Sequence, residues 1–152
     1  MRPRSAVVAV VLLATTVGDA AAQEPEARDA ALGQWITEGG LSRVEVYGCG
    51  DALCGRIVWL EEPLETDGTP KVDDENEDEA LRARPLMGLE IIAGFEPDGR
   101  PGRWRNGTIY NPEDGKTYRC MMRLADDGTL IVRGYVLLPI LGRSQTWTRH
   151  RD

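Results

Sequence analysis

From Gly33 onward the chain is written in short runs that alternate apolar and polar residues, and no long stretch keeps a helical period. A period of two puts successive side chains on opposite faces of a sheet, so each run specifies a strand with one buried face. Clusters of Gly, Asn, Asp and Pro separate the runs. The pattern predicts strands near residues 33–38, 42–48, 54–60, 89–95, 103–105, 107–111, 116–124, 129–136 and 143–149. Asn106-Gly107 reads as a two-residue hairpin, because both positions can take positive φ. Asn111-Pro112-Glu113-Asp114-Gly115 and Asp126-Asp127-Gly128 are polar turns. This count and spacing favour an all-β fold, a closed antiparallel barrel or a sandwich, over any α/β arrangement. Closure would also remove the edge strands that otherwise invite pairing with other chains.

The N-terminus has a different character. Arg2 and Arg4 precede an apolar run over residues 6–17, and Ala20-Ala21-Ala22 fits a small-x-small cleavage pattern. Residues 1–22 are therefore expected to be a signal peptide cut after Ala22, with an uncleaved anchor as the alternative. The apolar run is shorter than the roughly 20 residues that span a bilayer. Residues 23–32 are polar and Ala-rich, and are expected to be a loose leader. Residues 33–152 suit a single β-barrel domain. The expected location is periplasmic or secreted, with no membrane span.

Three cysteines in an exported chain leave one over. Cys49 and Cys54 face each other across a predicted turn and form the best pair. Cys120 lies in a strand pattern, where it reads as a small buried hydrophobe. Its pairing with Cys49 or Cys54 is the alternative. A reactive thiol would need a basic neighbour to lower its pKa, and none is visibly placed.

Without Arg2, Arg4 and Asp19 the chain carries 16 basic and 24 acidic residues, a net charge of −8. That balance argues against nucleic acid and against anionic membrane surfaces as partners. The acid is concentrated: residues 61–79 hold ten acidic side chains and one lysine, Lys71. The segment 61–88 is too long for a tight turn and too polar for a core strand, so it reads as one long acidic loop. Its end, residues 75–84, is expected to make a short helix capped by Asp74 and stopped by Pro85. Calcium is a weaker reading, because residues 73–79 lack the glycine and spacing of an EF-hand loop.

Catalytic patterns are missing from the sequence. The single histidine, His150, rules out a histidine zinc site and makes a Ser-His-acid triad a poor reading. No catalytic residue, metal or cofactor is therefore expected, and the chain reads as a non-enzyme. Its chemistry lies in its aromatic and arginine side chains. Trp59, Trp104, Tyr118, Met122, Val132 and Tyr135 are candidate walls of a ligand cavity. Arg133, Arg143 and Gln145 are candidate polar handles. Val132 and Arg133 cannot both point inward in a regular strand, and a register slip of one residue would reverse any of these assignments. The apolar run 136–141 around Pro139 is a lid, an exposed patch or a buried plug.

Gly33-x-Trp35 at the start of a first strand resembles lipocalins. The resemblance implies that Trp35 closes one barrel end and that a last-strand arginine packs across it, a role Arg149 matches better than Arg143. A closer resemblance runs through Cys49-Gly50-x-x-Leu53-Cys54-Gly55, Leu81-Arg82-x-Arg84-Pro85-Leu86-x-Gly88, Gly107-x-Ile109-Tyr110-Asn111-Pro112-Glu113-Asp114-Gly115-Lys116-Thr117-Tyr118, Arg133-Gly134-Tyr135 and the segment 142–149. It is to the bacterial family called domain of unknown function 2147, and implies a secreted or periplasmic protein with a lipocalin-like antiparallel barrel. The chain departs from the usual Asn-Pro-Asp at Asn76-Glu77-Asp78, and has Leu137 where glycine is common. The resemblance carries no catalytic residue over. The expected function is binding of a small hydrophobic or amphipathic ligand in the barrel. A protein-interaction module of the envelope, with the loop 136–141 as partner surface, is the alternative, and an enzyme, a hydrolase or isomerase in a lipocalin-like cup, is the third and weakest reading.

Overall fold

The computed structural model describes residues 20–152, with side chains from Glu26 onward. The expected signal peptide lies almost wholly outside the described residues. The elements run α1 (Ala20–Ala31), β1 (Gly33–Ile36), β2 (Ser42–Cys49), β3 (Ala52–Leu60), β4 (Glu90–Pro97), β5 (Arg103–Asn111), β6 (Lys116–Leu124), β7 (Leu130–Tyr135) and β8 (Arg143–Arg149). The eight strands pair in chain order, all antiparallel, and β1 pairs with β8 to close a barrel. No helix among the described residues is long and apolar enough to cross a membrane.

Nine expected runs become eight strands because 103–105 and 107–111 are one strand. Asn106 does take positive φ, at 60°, but in a bulge rather than a hairpin. The β5–β6 register shifts between Trp104 and Gly107. A bulge lets a strand bend round a barrel corner while both flanks stay paired. Gly107 is required there, since a Cβ would fall 2.5 Å from the Phe95 ring.

Most of the expected leader falls within a helix, α1, consistent with its alanine content, and its end is tied to the barrel. Ala31 is fully buried, and the Trp35 indole Nε1 donates to its carbonyl at 2.8 Å. Arg28 donates to the carbonyls of Gly50 and Ala52, at 2.6 and 3.3 Å. The Arg149 guanidinium lies 4.1 Å from the Trp35 ring centroid and donates to the carbonyls of Leu32 and Ala30. This end of the barrel is sealed.

Cys49 and Cys54 are disulfide-bonded across the β2–β3 turn. Cys120 is free and fully buried, and burial pushes its thiol up to about 12. At neutral pH such a thiol is protonated and a poor nucleophile.

Inward residues fill the sealed half of the interior. Trp35, Leu53, Phe95, Trp104, Met122 and Leu130 pack there with almost no exposure.

Candidate functional site

At the other end the interior opens. A cavity of about 1050 Å³ occupies the upper barrel and mouth, at the top of the range of about 300–1,000 Å³ usual for small-molecule sites. Its walls are apolar: Ile57 and Leu60 from β3, Ile91 from β4, Ile109 from β5 and Val132 from β7. Trp147 contributes from β8, and its indole donates to Gln145 Oε1 at 2.8 Å. Near the rim stand Tyr118, Tyr135 and Arg143. The Tyr118 hydroxyl donates to Asp114 Oδ2 at 2.5 Å. That bond raises the Tyr118 pKa and lowers that of Asp114.

The sequence-derived candidates divide. Tyr118, Tyr135, Val132, Arg143 and Gln145 lie around the cavity. Trp104 and Met122 point inward too, but they face each other across β5–β6 in the packed half, 4% and 2% exposed. Trp59 stands outside the cavity, with the Arg43 guanidinium 4.6 Å from its ring centroid. The reason is a bulge: Val44 pairs with Ile57 but Arg43 pairs with Trp59, so the extra residue, Val58, reverses the parity of the strand. Leu60 takes the inward place instead. Arg133 points out of the barrel, as its neighbour Val132 requires. It donates to the carbonyls of Pro139 and Ile140, at 2.6 and 3.1 Å, and to Ser144 Oγ at 2.8 Å. Arg133 therefore tethers the apolar loop rather than reaching a ligand. That loop is not a buried plug: Val136, Leu137, Leu138, Ile140 and Leu141 are 57–80% exposed.

The acidic loop forms the far rim. The helix expected over 75–84 is only a 3₁₀ turn at Glu79–Leu81, capped by Asp78 rather than Asp74. What fixes the loop is Asp73, fully buried although it sits in a run of acids. Tyr110 Oη donates to its Oδ1 at 2.5 Å, while Asn76 Nδ2 and Arg84 Nε donate to its Oδ2, each at 2.8 Å. Burial alone would raise the Asp73 pKa. Hydrogen bonds from Tyr110, Asn76 and Arg84, with the charge of Arg84, outweigh it and hold the carboxyl below the usual range. Sequence reasoning missed this cluster, because nothing local separates Asp73 from its nine acidic companions. The one available signal was Arg84, a base placed just before Pro85 and able to reach back across the loop.

Among the described residues no cluster of His, Cys, Asp or Glu could hold a metal ion. The cavity combines an apolar floor with a polar rim, in which the hydroxyl, amide and guanidinium groups stand among eight carboxylates: Glu38, Glu61, Glu62, Glu65, Asp74, Glu75, Glu113 and Asp114.

Comparison with known proteins agrees with the architecture. A solved structure, "Protein HP1028 from the human pathogen Helicobacter pylori belongs to the lipocalin family", superposes with a TM-score of 0.68 at 25% sequence identity. The match covers 80% of this chain and 83% of that one. No curated protein matches. The model of the family described as "Uncharacterized protein conserved in bacteria" matches residues 33–149. That span takes in every strand of the barrel, and the chain therefore belongs to this family, DUF2147, with a lipocalin-like β-barrel as its fold.

Proposed function

We propose that the protein is an exported, non-enzymatic cup that binds a small, partly apolar ligand in the upper barrel. The observation that carries this reading is the division of the interior into a packed half and an open half. A barrel needed only for stability would be filled throughout, because voids forfeit dispersion contacts. Ile57, Ile109 and Val132 offer an apolar tail its contacts, while Tyr118, Gln145 and Arg143 offer polar groups to a head. Export is supported by the disulfide, which persists in oxidising compartments.

The test is native mass spectrometry of the protein purified from the periplasm, followed by extraction of any adduct. A one-to-one adduct is expected, and Val132→Trp, which puts a much larger side chain into the cavity wall, should weaken it while leaving the circular dichroism unchanged. Trp147 is the tryptophan that lines the cavity. Ligand added to stripped protein should therefore change the fluorescence, and Trp147→Phe should remove the change. An apo mass together with no response to any medium-chain amphiphile would sink the proposal.

A further inference from the structure

The net charge of −8 conceals a segregation. The strands β5, β6, β7 and β8 contain no acidic residue, yet carry Arg103, Arg105, Lys116, Arg119, Arg123, Arg133, Arg143 and Arg149. Arg103, Arg105, Arg119 and Arg123 are exposed on the outer wall, and none makes an ion pair among the described residues. Arg103 and Arg123 stand directly opposite each other across β5–β6. Like charges in that relation destabilise a sheet, and the nearest carboxylates lie off these strands, Asp127 on the β6–β7 turn beside Arg123 and Glu96 of β4 opposite Arg105. The exposed apolar loop follows directly from β7. Arg119 pairs in register with Tyr135, the residue before that loop, and Arg133 grips two of its carbonyls. An uncovered apolar segment flanked by arginines therefore shares one side of the molecule. The acidic loop leaves between β3 and β4, four strands round the closed ring, and so stands on the opposite side.

We propose that the β7–β8 loop and the adjoining arginine wall dock the protein on an anionic lipid bilayer. Leu137 and Ile140, 77% and 80% exposed, enter the interfacial region, while Arg119, Arg123 and their neighbours meet lipid phosphates. Amphipathic surfaces bind bilayers by this combination of buried apolar area and headgroup attraction. Charge complementarity selects the lipid surface over a second copy of the chain, which would bring two arginine walls together. Val136 and Leu141 also line the cavity mouth, so docking would bring the opening beside the membrane.

The test is flotation of the exported protein, its N-terminus defined by intact mass, with vesicles of phosphatidylcholine alone or mixed with phosphatidylglycerol. The protein should float with the anionic vesicles, not with the neutral ones, and be released by salt. Leu137→Asp with Ile140→Asp, and separately Arg119→Glu with Arg123→Glu, should each lower binding about tenfold or more, since each basic contact multiplies partitioning by roughly fivefold. Arg56→Glu, on β3, changes net charge without touching the docking face and should leave binding unaltered. Absence of flotation in the wild type, or an equal loss with Arg56→Glu and Arg123→Glu, would overturn the assignment. So would a dimer in sedimentation that Leu137→Asp dissociates, because a second copy would then own the loop. Thermal melts of all variants separate loss of binding from loss of fold.

Discussion

A single carboxylate organises the longest loop. Asp73 accepts hydrogen bonds from Tyr110, Asn76 and Arg84 and has no exposure of its own. Asp73→Ala would strand buried donors that were matched to it, at a cost of roughly 2–3 kcal/mol. The expected outcome is faster hydrogen exchange over residues 71–86 while the strands keep their protection. The pH dependence follows from the lowered carboxyl pKa. The stabilisation is complete above the ordinary aspartate pKa of about 3.9 and fades as pH falls through the still lower folded-state value. Loop exchange in Asp73→Ala should lack that acid transition. Gly115→Ala should release the same loop by a different route, since its Cβ would lie 1.9 Å from the Glu75 carbonyl oxygen.

Among elements, the β2–β3 hairpin carries the covalent link. It closes a loop with a sequence separation of 5, so the chain-entropy gain is modest, about 2 kcal/mol. Cys49→Ser combined with Cys54→Ser should lower the free energy of unfolding from denaturant titration by that amount and leave the barrel intact by circular dichroism. Loss of the fold would show that the link does more than restrain the unfolded chain. Elements were also where the sequence was most legible. The boundaries of β6 and β8 match the alternating runs residue for residue, because long side chains alternate with short or polar ones through each, although in β8 only Trp147 is buried. Bulges were not legible. Asn106-Gly107 announced positive φ at both positions, but only Asn106 takes it, in a bulge, and Gly107 is there for its packing against Phe95. The bulge between β2 and β3 likewise turned Trp59 outward, and no local residue advertises it. Trp104 and Met122 were placed on the correct face but at the wrong height, since alternation gives direction and not depth.

The whole molecule divides along its barrel axis. The sealed half holds the large buried side chains and the tied end of α1, whereas the upper half surrounds the cavity. Local opening costs least where buried apolar contacts are fewest. Amides beside Trp35, Phe95 and Met122 should therefore exchange only by global unfolding, and those near Tyr135 and Arg143 by much cheaper openings. Uniform protection along β7 and β8 would contradict this gradient. The all-β class was legible from the count and spacing of strands, which left barrel and sandwich open; the barrel came from the family resemblance. The cavity was not legible, because its volume depends on which inward side chains meet at one level, a property of eight strands together.

The placement of the acidic loop across the ring from the β7–β8 loop and its arginines also makes charge uneven across the barrel, an electric dipole. A negative body with such a dipole is repelled by a distant anionic wall but turned by it. Within about one Debye length, near 10 Å at 0.1 M salt, the torque brings the positive flank round first. Approach is then no longer random in angle: the molecule arrives already facing the surface it can touch.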